Sequence, residues 1–240
     1  MKLTIFAATG GIGRHLLDQA LAAGHDVTAV VRNPRALPAE VRVATADLAA
    51  AGPDELVPAV AGADAVLSGL GPRSRADAGI ASRGTRAIVQ AMQATGVRRV
   101  VVVSAAPVGT VASPGRPHPP RHDPGDGPVT RYLAMPLVKA VFRQVYDDLA
   151  LMEDALRDSG LDWTVVRPPR LTDRPATGAY RTALGRNLRR GFLVPRAEVA
   201  HLMLASLDRP ETVGHAIGIA SRHRAGPVLR LRRLHPPAGG

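Results

Sequence analysis

The sequence predicts an α/β fold, a doubly wound and mostly parallel sheet with helices on both faces. Three observations predict it. Short β-branched, apolar segments alternate with helix-like segments along most of the 240 residues. One apolar segment, residues 100–103, is four valines without a polar break, as expected of a strand buried on both faces. The first segment runs straight into a glycine turn and then a helix-like stretch, the order a βαβ unit requires.

Residues 2–8 (KLTIFAA) read as the opening strand. RHLLDQALAA follows, with Leu16, Leu17, Ala20 and Leu21 on one side, and Gly24 ends it as a C-terminal glycine does. VTAVV (27–31) and VRVAT (41–45) read as the second and third strands, and ADAVLSGLG (63–71) as a fourth that runs into glycines. A helix is predicted over 82–95, closed by Gly96, before the valine strand. Phe142, Val145, Leu149, Met152 and Leu156 recur at spacings of three and four and predict one helix over 137–158 with this stripe in the core. DWTVV (162–166) and HAIGIA (215–220) supply the last strands, with a helix over 196–207 in which His201 is expected to pack.

Two segments stand apart. Residues 107–128 hold seven prolines and four glycines and predict a loop beyond a strand's C-terminal end. Loops there border the ligand crevice of this architecture, so a lid and a solvated linker are both open. Residues 221–240 predict a basic, disordered tail, leaving one domain over 1–220.

Composition excludes several function classes. Lys and Arg number 31 against 20 Asp and Glu, a net charge of +11, and only Lys2 and Lys139 are lysines. Arg222, Arg224, Arg230, Arg232 and Arg233 lie in the tail, where no acid occurs. Such charge permits nonspecific contact with polyanions. No helix-turn-helix, zinc finger or aromatic RNA motif is present, so no specific nucleic-acid partner is expected. Zero cysteines exclude disulfides, thiolate metal sites and a cysteine nucleophile. His118 and His122 are four apart, but Pro119 and Pro120 prevent the helix that would align them, and no metal is expected. No apolar run approaches the roughly 18 residues of a membrane span. Gly10, Gly11 and Gly13 interrupt the N-terminal apolar stretch, so no signal peptide and a cytoplasmic location are expected.

The chemistry begins at IFAATGGIGRH (5–15). Gly10 lets backbone approach a pyrophosphate, Gly13 lets the helix pack on the strand, and the helix N-terminus offers free N–H groups to phosphate. The spacing is Ala7-x-x-Gly10-x-x-Gly13, with alanine where the first glycine usually sits; alanine fits there if its φ is negative. Beyond the second strand stands Arg32, 19 residues after Gly13. An acid at that place bonds the ribose 2′-OH of NAD, whereas a guanidinium pairs with the 2′-phosphate of NADP(H), the cofactor expected here. Asp47, after the third strand, is placed to meet adenine, with Leu48 beside the ring.

IFAATGGIGRHLL, VTAVVRNP, TADL, LSGLGPR, RRVVVVSAA and WTVVRPPRLTDRPATGAY occur in an order that resembles the atypical short-chain dehydrogenases/reductases, a Rossmann-type family. The resemblance is strongest to the NAD(P)H-binding group that includes biliverdin-IXβ reductase/flavin reductase, with NmrA-like proteins as wider relatives. It covers residues 1–220 except 107–128. It implies a cofactor cradle from Thr9, Gly10, Gly11, Ile12 and Gly13, with Arg35 beside Arg32 at the 2′-phosphate. Leu70, Gly71 and Arg73 would line the cofactor after the fourth strand. Ser104 would lie near the nicotinamide, and Pro168, Pro169, Arg170 and Leu171 would approach its amide. Ser104 and Arg170 are the expected catalytic side chains.

This chain departs from the wider pattern. The Tyr-x-x-x-Lys of short-chain dehydrogenases stacks a phenol one helical turn from an ammonium. Here Pro136 stands four after Tyr132, Ala150 four after Tyr146, and Lys139 seven after Tyr132. The biliverdin-IXβ reductase pattern has histidine where this chain has Arg170, which stays protonated and can steady an anion but is a poor proton donor. The expected function is an NADPH-dependent reductase of a small organic acceptor of flavin, quinone or ketone type. A non-catalytic, NADP-binding redox sensor of NmrA-like type and an NAD(P)-assisted epimerase or dehydratase are the alternatives.

Overall fold

The computed structural model describes residues 1–34, 37–38, 41–72, 77, 79–127 and 135–222. Arg35, Arg73, Tyr132 and the tail beyond Arg222 lie outside the described residues.

The central sheet has eight strands: β1 (Lys2–Phe6), β2 (Asp26–Val31), β3 (Arg42–Thr45), β4 (Ala65–Ser68), β5 (Arg99–Val103), β6 (Asp162–Arg167), β8 (Tyr180–Leu184) and β10 (His215–Ser221). β7 (Arg170–Thr172) and β9 (Leu193–Pro195) form a separate parallel pair. Strand order is β3-β2-β1-β4-β5-β6-β10-β8, and β8 alone runs antiparallel, against β10. The order reverses between β1 and β4, where Ile5 pairs with Ala29 on one side and Leu67 on the other. That reversal opens a crevice at the C-terminal ends of the strands.

The valine strand shows why helices cover both faces. Alternate side chains point to opposite faces, so Val100 and Val102 join the core that holds Phe6, Leu56, Ile88, Met92 and Met152. Val101 and Val103 join the other, with Leu3, Ile5, Leu16, Leu17 and Met203. The first core lies under α2 (Pro53–Val60), α3 (Ile80–Thr95) and α5 (Arg143–Arg157); the second lies under α1 (Gly11–Ala22) and α6 (Arg196–Ala205).

The single helix expected over 137–158 is two. α4 (Met135–Val141) stops before Phe142, whose φ of −110° and ψ of 24° depart from helical values although its N–H still reaches the Val138 carbonyl at 3.0 Å, and α5 then begins. Only the stripe from Val145 onward packs on the core, while Leu137, Val141 and Phe142 stay exposed. No helix among the described residues is long and apolar enough to cross a membrane.

Candidate functional site

The first loop is built around a conformation that alanine resists. Ala7 has φ +56°, so the position of the missing first glycine keeps the left-handed backbone, contrary to the expectation of a negative φ. The Ala7 carbonyl accepts from the Gly10 N–H at 2.8 Å, closing the turn that this φ makes possible. A Cβ on Gly13 would stand 2.0 Å from the same carbonyl oxygen. Only glycine allows α1 to leave β1 so closely. α1 carries no side-chain cap and no acid in its first turn, so its positive end is not neutralised from within.

Sequence reasoning missed the group that faces this end. A Cβ on Gly11 would meet the Arg196 Nε at 2.8 Å, so a guanidinium rests against the turn. Arg196 opens α6 directly after β9, whose pairing with β7 sets Thr172 opposite Pro195. Its Nη1 donates to Asp173 Oδ1 at 2.5 Å. Two positive groups, helix end and guanidinium, converge on one spot, a cradle that fits a pyrophosphate. No local pattern marks Arg196, because the β7–β9 pairing that delivers it is long-range.

A cleft of about 590 Å3 runs along the C-terminal ends of the strands. Arg32, Asp47 and Leu48 line it beyond β2 and β3; Thr9, Gly10, Gly11, Ile12, Leu70 and Gly71 line it at the reversal; Ser104, Ala105, Tyr146 and Leu171 line it beyond β5. Arg32 and Asp47 are exposed, whereas Leu48 and Leu70 are also core residues. Gly13 lies beneath the cleft as a packing contact and does not line it.

Pro168, Pro169 and Arg170 line a second cavity instead, of about 480 Å3. Ala105 and Tyr146 line both, so the cavities meet there. The proline-rich segment supplies one wall through Pro107, Gly125, Asp126 and Gly127. Its two ends are docked, with Pro107 to Gly109, Asp123 and Gly125 buried, while most of residues 112–122 stays exposed. Buried Asp123 accepts through Oδ1 from the N–H groups of Gly125 and Asn187, both at 2.8 Å. A Cβ on Gly125 would fall 1.8 Å from the Asn187 carbonyl oxygen. Asp154, on α5, accepts from the Ser113 hydroxyl and the Gly115 N–H, both at 3.0 Å.

Behind the junction lies a charged cluster. Glu153 is 1% exposed. It accepts from the Ser104 hydroxyl at 2.8 Å, from Arg167 through Nε at 2.8 Å and through Nη2, and from Arg157 Nη2 at 2.7 Å. With its proton given to Glu153, Ser104 has only acceptor capacity left for a ligand. The Arg116 guanidinium is pushed down from its ordinary pKa by burial and by the like charges of Arg167 and Arg157. Burial pushes the Tyr146 phenol up, so it is neutral and able to donate at neutral pH. Lys139, its pKa lowered by burial, donates to the Thr110 carbonyl at 2.8 Å. His201 does not pack as expected: it is exposed, with Nδ1 2.7 Å from the Tyr180 hydroxyl.

Fold and cleft together define a dinucleotide-binding protein of Rossmann type. A family model described as NAD(P)H-binding matches residues 7–210, and the chain belongs to that family. This agrees with its likeness to atypical short-chain dehydrogenases/reductases. A Bacillus subtilis (strain 168) protein named as an uncharacterized sugar epimerase, YhfK, is 26% identical over 228 residues, 91% of this chain and 94% of that protein. The oxidoreductase ylbE from Lactococcus lactis shares the fold with a TM-score of 0.73 at 17% identity, covering 92% of this chain and 91% of that one. ChuY from Escherichia coli O157:H7, described as an anaerobillin reductase, shares it with a TM-score of 0.72 at 24% identity, covering 93% and 98%.

Proposed function

We propose that the protein is an NADPH-dependent reductase that passes hydride to a small organic acceptor. The observation that carries this reading is the meeting of two cavities at Ala105 and Tyr146, one fitted to a dinucleotide and one beside it. When bound, NADPH supplies the hydride, two electrons and a hydrogen nucleus together. Thr9 to Ile12 hold the pyrophosphate with Arg196, Arg32 pairs with the 2′-phosphate, and Asp47 and Leu48 flank adenine. Leu171, Ala105 and Ser104 bound the nicotinamide end, where Ser104 orients an N–H donor as a hydrogen-bond acceptor. In the second cavity the prolines and apolar side chains offer the acceptor an apolar wall. Tyr146, which lines both cavities, orients the acceptor as a neutral hydrogen-bond donor; burial raises its pKa, so it is a donor of a hydrogen bond rather than a strong acid. Arg170 steadies developing negative charge. A flavin or quinone takes its proton from solvent, which suits a chain without Tyr-x-x-x-Lys.

The test is NADPH oxidation with FMN and a simple quinone, wild type beside Tyr146→Phe. Turnover that slows in the variant is expected, and wild-type inactivity with every acceptor would overturn the proposal. A second reading, an epimerase with no net cofactor consumption, is favoured by the name of the Bacillus relative. It would appear as an inverted sugar stereocentre with the NADPH signal unchanged.

A further inference from the structure

Three charged side chains among the described residues line the second cavity: Asp126, Arg170 and Arg190. The acid is already engaged. Asp126 Oδ1 accepts from Asn187 Nδ2 at 3.3 Å, and its field also acts on Lys139. An amide partner leaves that carboxylate charged, so two guanidiniums against one acid give the described lining a net positive charge.

Both are held by their backbone. Arg170 begins β7 directly after Pro168 and Pro169, and its backbone is paired opposite Leu193 of β9. Arg190 has φ +55°, the left-handed region that glycine or asparagine would occupy at lower cost. The turn around it is tight: the Gly191 N–H donates to the Leu188 carbonyl at 2.9 Å, and a Cβ on Gly191 would meet that oxygen at 2.8 Å. Strain of this kind persists where the surroundings over-determine it, and it clusters at binding sites. Beside the arginines, Phe142 and Phe192 stay 44% and 56% exposed while lining the cavity. Two aromatic faces and two guanidiniums in one concavity match a flat conjugated molecule with an anionic substituent, because guanidinium binds phosphate, sulfonate or carboxylate in a planar fork.

We infer that the second cavity selects acceptors bearing an anionic group, and that Arg170 and Arg190 are the side chains that read it. The inference rests on the reductase reading of the two cavities. It names the acceptor class by charge, with the conjugated ring toward Tyr146 and the anion toward the arginines.

Equilibrium binding without turnover tests it, on the full chain saturated with NADP+ so that the cofactor cleft is filled. Two matched pairs serve as probes: FMN against riboflavin, and 1,2-naphthoquinone-4-sulfonate against 1,2-naphthoquinone. The anionic member of each pair should bind about ten- to a hundredfold more tightly, the range of a charge-assisted hydrogen bond. The ratio should fall toward unity in Arg190→Ala and Arg170→Ala, each checked by its retained NADP+ complex, and should shrink as salt rises. Equal affinities within both pairs would overturn the inference. So would a preference that survives in the double variant. The two readings fail separately. An arginine-dependent preference without NADPH oxidation would sink the reductase and keep the anion site. Turnover of charged and neutral acceptors with equal kcat/KM would do the reverse.

Discussion

Gly13→Ala puts the strand–helix junction under a load that the structure makes calculable. The new Cβ would lie 2.0 Å from the Ala7 carbonyl oxygen, 2.8 Å from its carbon and 3.0 Å from the Ala8 Cα. All three are backbone atoms of the chain leaving β1, a strand paired on both sides. They cannot swing away as a side chain would. α1 must retreat by roughly 1 Å or more to restore ordinary separations, and that lifts Leu16, Leu17 and Ala20 off the core they fill. Overpacking of this sort costs about 1–3 kcal/mol and occasionally more. A contact against immobile backbone belongs at the upper end. At roughly 2–4 °C per kcal/mol for a chain of this size, Tm should fall by about 6–12 °C. Gly11→Ala is the control. Its Cβ would meet only the Arg196 side chain, which can rotate, and alanine favours helix over glycine by up to about 1 kcal/mol. Tm should therefore hold or rise slightly, while NADPH affinity drops because Arg196 is displaced from the turn. Thermal unfolding by circular dichroism and a cofactor titration, run on both variants, decide the matter. A Gly13→Ala protein that melts with the wild type would refute the packing argument, as would a Gly11→Ala protein that melts as low.

Ala7→Gly removes a left-handed alanine, a strain of about 1–2 kcal/mol, partly offset by the entropy glycine brings to the unfolded chain. A Tm higher by about 1–4 °C is expected, and a lower Tm would contradict the strain. Arg32→Ala should lose roughly 1.5–3 kcal/mol of NADPH-over-NADH preference with NADH affinity unchanged; equal wild-type affinities in parallel titrations would remove the NADP assignment. Glu153→Gln leaves buried Arg167 without its counter-charge and should cost about 3–5 kcal/mol by denaturant unfolding. A loss under about 1 kcal/mol would mean that the cluster relaxes without it.

The parts of this molecule that announce themselves in sequence are those governed by neighbours along the chain. β1, the glycine turn, α1 and β2 follow from local sterics and alternation, though β1 ends at Phe6 rather than residue 8 and α1 begins at Gly11 rather than residue 14. The valine strand is legible because burial on both faces demands an unbroken apolar run. Asp47, Arg32 and Ser104 are legible because each follows a strand end that opens on the crevice. Long-range contact hides the rest. α2 escaped notice because Pro53 and Pro58 blur its period. β7, β8 and β9 are three to five residues each, too short for alternation to show. The break at Phe142 was invisible because an apolar residue in phase with the stripe looks buried, yet it faces the second cavity. Tyr146 was set aside for lacking a lysine four residues on. Its place at the seam of two cavities is not encoded in spacing. Arg196 and Glu153 needed the tertiary structure outright.

The proline-rich wall is fastened to Lys139 through the Thr110 carbonyl, to Asp154 through Ser113 and Gly115, and by Asp123 to the Asn187 turn. Between these rivets the chain owes nothing to the sheet's hydrogen-bond register and little to its core. Substitutions at the exposed positions there should leave the dinucleotide half untouched, provided that the carboxylates keep their N–H partners. The second cavity thus takes part of its wall from a stretch that the dinucleotide cleft does not use.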